Sequence, residues 1–243
     1  MIKLSAVIIA LNEGKKIKDC LSSLSFCDEI VLVDSGSFDG TVEIAKTSGT
    51  KVFTRSFDDF ASQKNFGVEK ASGEWILSVD ADERVDEKLR QCILEKIASN
   101  PKENAFRFKR SSFLFGQRFH FSGTQDDTPV RLFKRGNARF EGRIHETLSV
   151  QGGTGKIEGE LLHFTFQNVN EYLRRLNHYT SLEAGKKRKG GRFLVKAFSR
   201  FADVYFLKQG FRDGDMGLRY SLLSGWYEIM KSCKAWENGN AGL

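Results

Sequence analysis

Between residues 4 and 98 the chain repeats one unit, a short continuous apolar run followed by a polar segment with apolar residues at helical spacing. The runs are "LSAVIIAL" (4–11), "EIVLVD" (29–34) and "EWILSVD" (74–80), with "KVFTR" (51–55) as a shorter third strand. Apolar side chains on successive residues of a strand point to both faces, so such strands must be covered on both sides. The intervening segments supply the cover. In "KKIKDCLSSL", Ile17, Cys20, Leu21 and Leu24 fall at i, i+3, i+4 and i+7. "DGTVEIAKTSG" begins a helix after Asp39 and stops it at Gly49, "FASQKNFGVEKASG" reads as another helix, and "DEKLRQCILEKIAS" puts Leu89, Cys92, Ile93 and Ile97 on one face. Repeated β-α units of this kind predict an α/β fold, a mostly parallel, Rossmann-like sheet with helices on both faces.

In such folds ligands bind beyond the carboxyl ends of the strands. The residues there are Asn12 and Glu13 after the first strand, Asp34, Ser35, Gly36 and Ser37 after the second, and Asp80, Ala81, Asp82 and Glu83 after the fourth. Each group alone fits an ordinary turn or helix start. Together they place polar groups along one edge, and the last places carboxylates side by side at the end of a buried strand, where each raises the cost of ionising the next. A divalent Mg²⁺ or Mn²⁺ ion removes that cost, and two carboxylates one residue apart can hold it against a nucleoside diphosphate. Neither G-x-G-x-x-G after the first strand nor G-x-x-x-x-G-K-[ST] occurs, which argues against a nicotinamide dehydrogenase and a P-loop kinase.

The formal net charge of +7 is unevenly spread: residues 1–100 carry 13 basic against 17 acidic side chains, and the rest carries 25 against 14. A basic second half is expected to meet anionic material, whether membrane, phosphorylated substrate or nucleic acid. Cys20, Cys27, Cys92 and Cys233 lie far apart without metal-finger spacing, which predicts neither a disulfide framework nor a zinc site, and a reduced cytosolic compartment. "MIKLSAVIIALNE" lacks a signal peptide's cleavage site, and no apolar stretch approaches the ~20 residues of a spanning helix.

Four stretches, "SAVIIALNE", "EIVLVDSGSFDGT", "ASQKNFGVEKASGEWILSVDADE" and "RLFKRGNARFEGRIHE", together resemble the family 2 glycosyltransferases of the GT-A fold, and among these the bacterial lipopolysaccharide-core β-glucosyltransferase subgroup. The resemblance covers nearly the whole chain. It implies inverting transfer of a sugar from a nucleotide sugar to a glycolipid acceptor. Carried over, it puts Asn12, Glu13 and Asp34 at the nucleoside, Lys64 at the diphosphate, and Asp80 with Asp82 at the ribose and a divalent metal, with Ser35 and Ala81 also in the nucleotide-sugar site; His145 is open to ligating the metal, donating to a phosphate or packing beneath the site. Two departures stand out. Asp34 is followed by Ser35 where many members have a second Asp that reads uracil, although the Asp-Ser subgroup tends towards UDP sugars. The Gln-x-x-Arg-Trp motif that follows the usual general base is absent; Glu146 in "GRIHETL" is the substitute, with Asp126 and Asp127 as competitors. His163 in "LLHFTF" reads as a core histidine.

These readings divide the chain into a GT-A domain over 1–168, with the nucleotide sugar bound by 1–100 and the acceptor and catalytic part in 101–168, and a basic, amphipathic helical appendage over 169–243. In "FLVKAFSRFADVYFL" (193–207) the only charges, Lys196, Arg200 and Asp203, form one narrow stripe, and "KKRKGGR" precedes the helix. Two readings stay open: a helix that packs on its own chain or on a second copy in a homo-oligomer, or one that lies in an anionic membrane surface. The second predicts a cytoplasmic protein peripheral to the inner face of the bacterial cytoplasmic membrane. A polyprenyl-phosphate glycosyltransferase and a non-catalytic nucleotide-sugar-binding protein are the alternative functions; no nucleic-acid recognition module is evident.

Overall fold

A computed structural model of the 243-residue chain describes residues 3–142, 146–184 and 192–240. The chain forms two compact units, residues 1–110 with 128–163 and residues 111–127 with 164–243. The expected boundary at 168 follows chain order, whereas segment 111–127 groups with the C-terminal helices.

The first unit holds β1 (Leu4–Ala10), α1 (Ile17–Ser23), β2 (Glu29–Asp34), α2 (Thr41–Thr47), β3 (Lys51–Thr54), α3 (Phe60–Lys70), β4 (Trp75–Asp80), β5 (Glu83–Val85) and α4 (Glu87–Ala98) in sequence. It continues through the first part of β6 (Ala105–Leu114), and, after β7 (Gln117–Arg118) of the second unit, through β8 (Val130–Lys134), β9 (Ala138–Glu141), β10 (Thr147–Val150) and most of β11 (Thr154–Phe166). The strand order is β3-β2-β1-β4-β8-β6-β11-β5, with β9 and β10 as a separate pair. Pairing is parallel across β3-β2-β1-β4 and antiparallel where β8 meets β4 and β6 and where β5 meets β11. The continuous apolar runs are parallel strands; "FRFK" (106–109) in β6 alternates buried and exposed residues, as an antiparallel strand wetted on one face should.

Leu4, Ala6, Ile8 and Ala10 of β1 join one buried cluster with Ile17, Leu21, Leu89 and Ile93 of α1 and α4, while Val7 points the other way into a second cluster with Val31, Ala61 and Phe133. The α3 helix lies so close to this second face that a Cβ on Gly67 would sit 2.5 Å from Val7 Cγ1. Asp59 and Asp86 cap α3 and α4 by accepting from Ser62 N and Leu89 N.

At the amino ends of the strands, Glu29 is buried and accepts from Ser5 Oγ, from Lys51 Nζ at 2.6 Å and from Ser72 N at 2.7 Å. Burial alone would push its carboxyl up, but the hydrogen bonds from Lys51, Ser5 and Ser72 outweigh it and hold the pKa down at about 2. A depressed folded value contributes stability that is complete above the unfolded pKa of ~4.3 and lost as pH falls towards 2. Glu29→Gln should therefore lose on the order of 2 kcal/mol in urea unfolding at neutral pH, with the gap to wild type closing on acidification. A gap independent of pH would show that the carboxylate's charge is not what stabilises these strand ends.

The second unit contains the hairpin of β6 and β7 and the helices α5 (Val169–Ala184), α6 (Phe193–Ala202) and α7 (Gly214–Asn240), with a π-helical turn at Asp203–Leu207 and a 3₁₀ turn at Gly210–Asp213. Aromatic pairs bind it, including Phe113 stacked on Phe164 at 4.7 Å and Phe119 edge-on to Tyr220 at 5.6 Å. Asp213 pins the segment that follows β7 by accepting from His120 N, Phe121 N and Ser122 Oγ. Among the described residues no helix is long and apolar enough to cross a membrane.

Candidate active site

Strand register brings the two acidic strand ends together. Ala10 of β1 lies opposite Asp34, and its neighbour Ile9 lies opposite Asp80, so β1 has an aspartate on each side at the carboxyl edge. The loops beyond are knitted to one another: Asn12 N donates to Ser37 Oγ, Phe38 N to Asn12 Oδ1, Glu13 N to Thr41 Oγ1 and Gly14 N to Asp39 Oδ2. Asn12 takes φ +55°, a left-handed conformation that asparagine tolerates better than most residues. Asn12 and Glu13 thus shape the loop edge as well as lining it.

Asp34 is 2% exposed and folds over its own turn, with Oδ2 accepting from Gly36 N and Ser37 N, both at 2.9 Å. Its Oδ1 is buried without a hydrogen-bond partner. A buried acceptor left so costs about 1–3 kcal/mol, which a ligand N–H or O–H would recover. Ser35 is fixed beside it, its N donating to Ala10 O and its Oγ accepting from Gln63 Nε2 at 2.8 Å.

Around Asp80 the charges interlock. Lys64, its side chain 3% exposed, places Nζ 3.0 Å from Asp80 Oδ1 and 2.7 Å from Glu146 Oε1. Arg131 reaches from β8, with Nη2 2.6 Å from Asp80 Oδ2 and 3.1 Å from Glu83 Oε1. Glu83 is fully buried, accepts from Asp80 N and also pairs with Arg110 at 3.1 Å. Burial would raise the Asp80 carboxyl, but Arg131 and Lys64 hold it well below the usual carboxylate range. The turn is thus a rigid shelf, with buried Ala81 between its aspartates. Arg131 was not legible as a site residue, since one arginine in "VRLFK" reads as an exposed strand position; only the fold turns it to the β4 end.

Asp82 is 7% exposed, and His163 Nε2 lies 3.5 Å from its Oδ1. The register explains this, because His163 of β11 pairs with Glu83 of β5. His163 therefore borders the acidic turn, where a packing role alone was expected. His145 lies outside the described residues. Asp126 and Asp127 belong to the second unit, whereas Glu146 belongs to the first, with Lys64 and Asp80.

The donor set suits a divalent ion in one particular way. Among the described residues no three His, Cys, Asp or Glu side chains form a metal cage. Mg²⁺ does not require one, since it is commonly bound by one or two carboxylates together with substrate phosphates. Asp82, two residues beyond Asp80 at the end of β4, is the ligand that the Asp-x-Asp spacing offers, with Asp80, which Lys64 and Arg131 engage, beside it. Lys64, Arg110 and Arg131 pair with three of the carboxylates here, Asp80, Glu83 and Glu146.

Comparison with known proteins bears on the family. The glycosyl transferase family 2 model matches residues 5–148. A lipopolysaccharide core biosynthesis glycosyltransferase, LpsC of Rhizobium meliloti, is 34% identical over 238 residues, covering 93% of this chain and 86% of the relative. A Rickettsia typhi glycosyltransferase without a characterised role is 25% identical over 96% of this chain and 87% of its own. Among solved structures, residues 1–349 of Staphylococcus aureus TarS align with a TM-score of 0.48 at 14% identity, covering 95% of this chain and 81% of that one.

Proposed function

The chain belongs to glycosyltransferase family 2 and has its GT-A fold, and we propose that it moves a hexose, with inversion, from a UDP-sugar to a glycolipid acceptor of the lipopolysaccharide-core type. The observation that carries this reading is the shared edge of β1, β2 and β4, where an unsatisfied Asp34 oxygen and the Asp80–Asp82 shelf flank one strand. Asp34, with Asn12, Glu13 and Ser35, receives the nucleoside, and its free Oδ1 takes a donor N–H or O–H. Asp80 and the Ala81 backbone meet the ribose side. Lys64 approaches the diphosphate.

Asp82 is the residue to hold Mg²⁺ or Mn²⁺, with Asp80 alongside, and His145, outside the described residues, keeps the ligand role that the family resemblance allows it. When bound, the ion neutralises the diphosphate as it leaves. Glu146 acts as general base: it takes the acceptor hydroxyl proton as that oxygen bonds to the anomeric carbon and the bond from that carbon to the diphosphate breaks. Lys64, 2.7 Å from Glu146, holds the carboxylate in place and ties it to the Asp80 shelf. The relative that is 34% identical supports the lipopolysaccharide-core acceptor, and the basic C-terminal region supports work at an anionic membrane, peripherally on the inner face of the bacterial cytoplasmic membrane.

Titration calorimetry with UDP, GDP and dTDP in Mn²⁺ tests the donor site. UDP should bind at least tenfold more tightly than the others, and Asp34→Ala should erase the preference. Equal affinities would leave the uridine reading without support.

A further inference from the structure

α6 packs closely along α7 on one side. Ala197 is buried, and a Cβ on Gly225 would meet Ala197 O at 2.9 Å, so the two backbones touch there. Phe201 turns inward and stacks on Tyr205 at 5.4 Å, and Val204 is fully buried. The rest of the apolar surface is uncovered. Leu194, Val195 and Phe198 are 63%, 64% and 69% exposed, and the π-helical turn pushes out Phe206 and Leu207 at 58% and 78%. Val195, Phe206 and Leu207 line one groove of about 770 Å³ with the basic Lys196 and Arg200 and the acidic Asp203 and Glu228, the last paired with Lys231 at 2.5 Å. Continuous exposed apolar surface of this kind marks an interaction site.

Charge selects the occupant. Residues 186–212 hold nine basic side chains against one acidic, Asp203. Lys186, Lys187, Arg188 and Lys189 lie outside the described residues, and the described Arg192, Lys196 and Arg200 are all exposed. Asp203 is taken up by Arg200 at 3.1 Å and Lys208 at 3.2 Å. An apolar face with a basic margin is what an anionic bilayer selects, acyl chains taking the rings and head-group phosphates the cations.

We infer that this face of the second unit is the membrane-docking surface, with Phe206 and Leu207 of the π-helical turn as its insertion point, Leu194, Val195 and Phe198 entering beside them, and Lys196 and Arg200 at phosphate level. The inference rests on the glycolipid-acceptor reading for its purpose but not for its physics. It also divides the aromatic set of the helix: Phe198 enters lipid, while Phe201 and Tyr205 pack within the chain.

Flotation of the full chain with phosphatidylcholine vesicles, with and without phosphatidylglycerol, tests it. Wild type should float with the anionic vesicles and lose binding as salt shortens the Debye length. The double variant Phe206→Ser, Leu207→Ser should partition about 10²-fold more weakly, with its melting temperature and UDP affinity unchanged. Trp236→Ser, which removes an equally exposed ring elsewhere on α7, should float like wild type. Wild type that never floats, a double variant that floats normally, or a wild-type dimer that the double variant splits would each overturn the inference, the last by assigning the face to a second copy. UDP affinity is read separately, so failure of the donor site and failure of docking give different results.

Discussion

Asp82→Ala should lower sugar transfer by about three orders of magnitude while thermal unfolding stays within a few degrees of wild type. The carboxylate follows a buried strand, two residues past an Asp80 that Lys64 and Arg131 engage, and two carboxylates at that spacing can hold a divalent ion against a diphosphate. Losing it should also remove the difference in UDP affinity between Mn²⁺ and chelator, a reading independent of turnover. Asp82→Asn keeps the volume and should behave in the same way. The fold tolerates both changes because the shelf is fixed by Glu83, Arg110 and Arg131. Transfer above a tenth of wild type in chelator would remove the ion from the account.

Glu146→Gln should lower kcat by about 10²-fold or more and leave UDP-sugar affinity unchanged, because a general base acts in the transition state and not in donor binding. The substitution is a clean one here. An amide oxygen can still accept from Lys64 Nζ, so the buried ammonium keeps both partners and Asp80 keeps its geometry. Glu146→Ala would instead strip a partner from a lysine that is 3% exposed, mixing a structural loss with the catalytic one. Stopped-flow measurement of donor binding beside steady-state transfer separates the effects. Near-normal kcat in the Gln variant would return Asp126 and Asp127 of the second unit to consideration.

How much of this was legible in the sequence depended on how local its cause is. Strands β1, β2 and β4 follow from apolar runs that only two-sided burial explains, and helices such as α2 from spacing and from the start after Asp39 and the stop at Gly49. Asp34 and Asp80 were legible because parallel strands end at one edge. The partners of those aspartates were not. Arg131 comes from an antiparallel strand about fifty residues on, and His163 meets Asp82 only because β11 pairs with β5 in a register that no local pattern encodes. The grouping of 111–127 with the C-terminal helices has the same character, since its anchors, such as Asp213 on the His120–Ser122 backbone, span some ninety residues. In α6 the amphipathic pattern gave the width of the apolar face; which part α7 covers was decided by Gly225 and Ala197.

The central claim is sugar transfer at the β1, β2 and β4 edge, and the most direct measurement is mass spectrometry of a truncated lipopolysaccharide-core acceptor after incubation with the purified chain, Mn²⁺ and UDP-hexoses. The account predicts the addition of one hexose, in β linkage by NMR from an α-linked donor, abolished by chelator and by Asp82→Ala. Unmodified acceptor across UDP, GDP and dTDP sugars, from protein that is folded and binds UDP, would contradict it and leave a nucleotide-sugar-binding protein in its place.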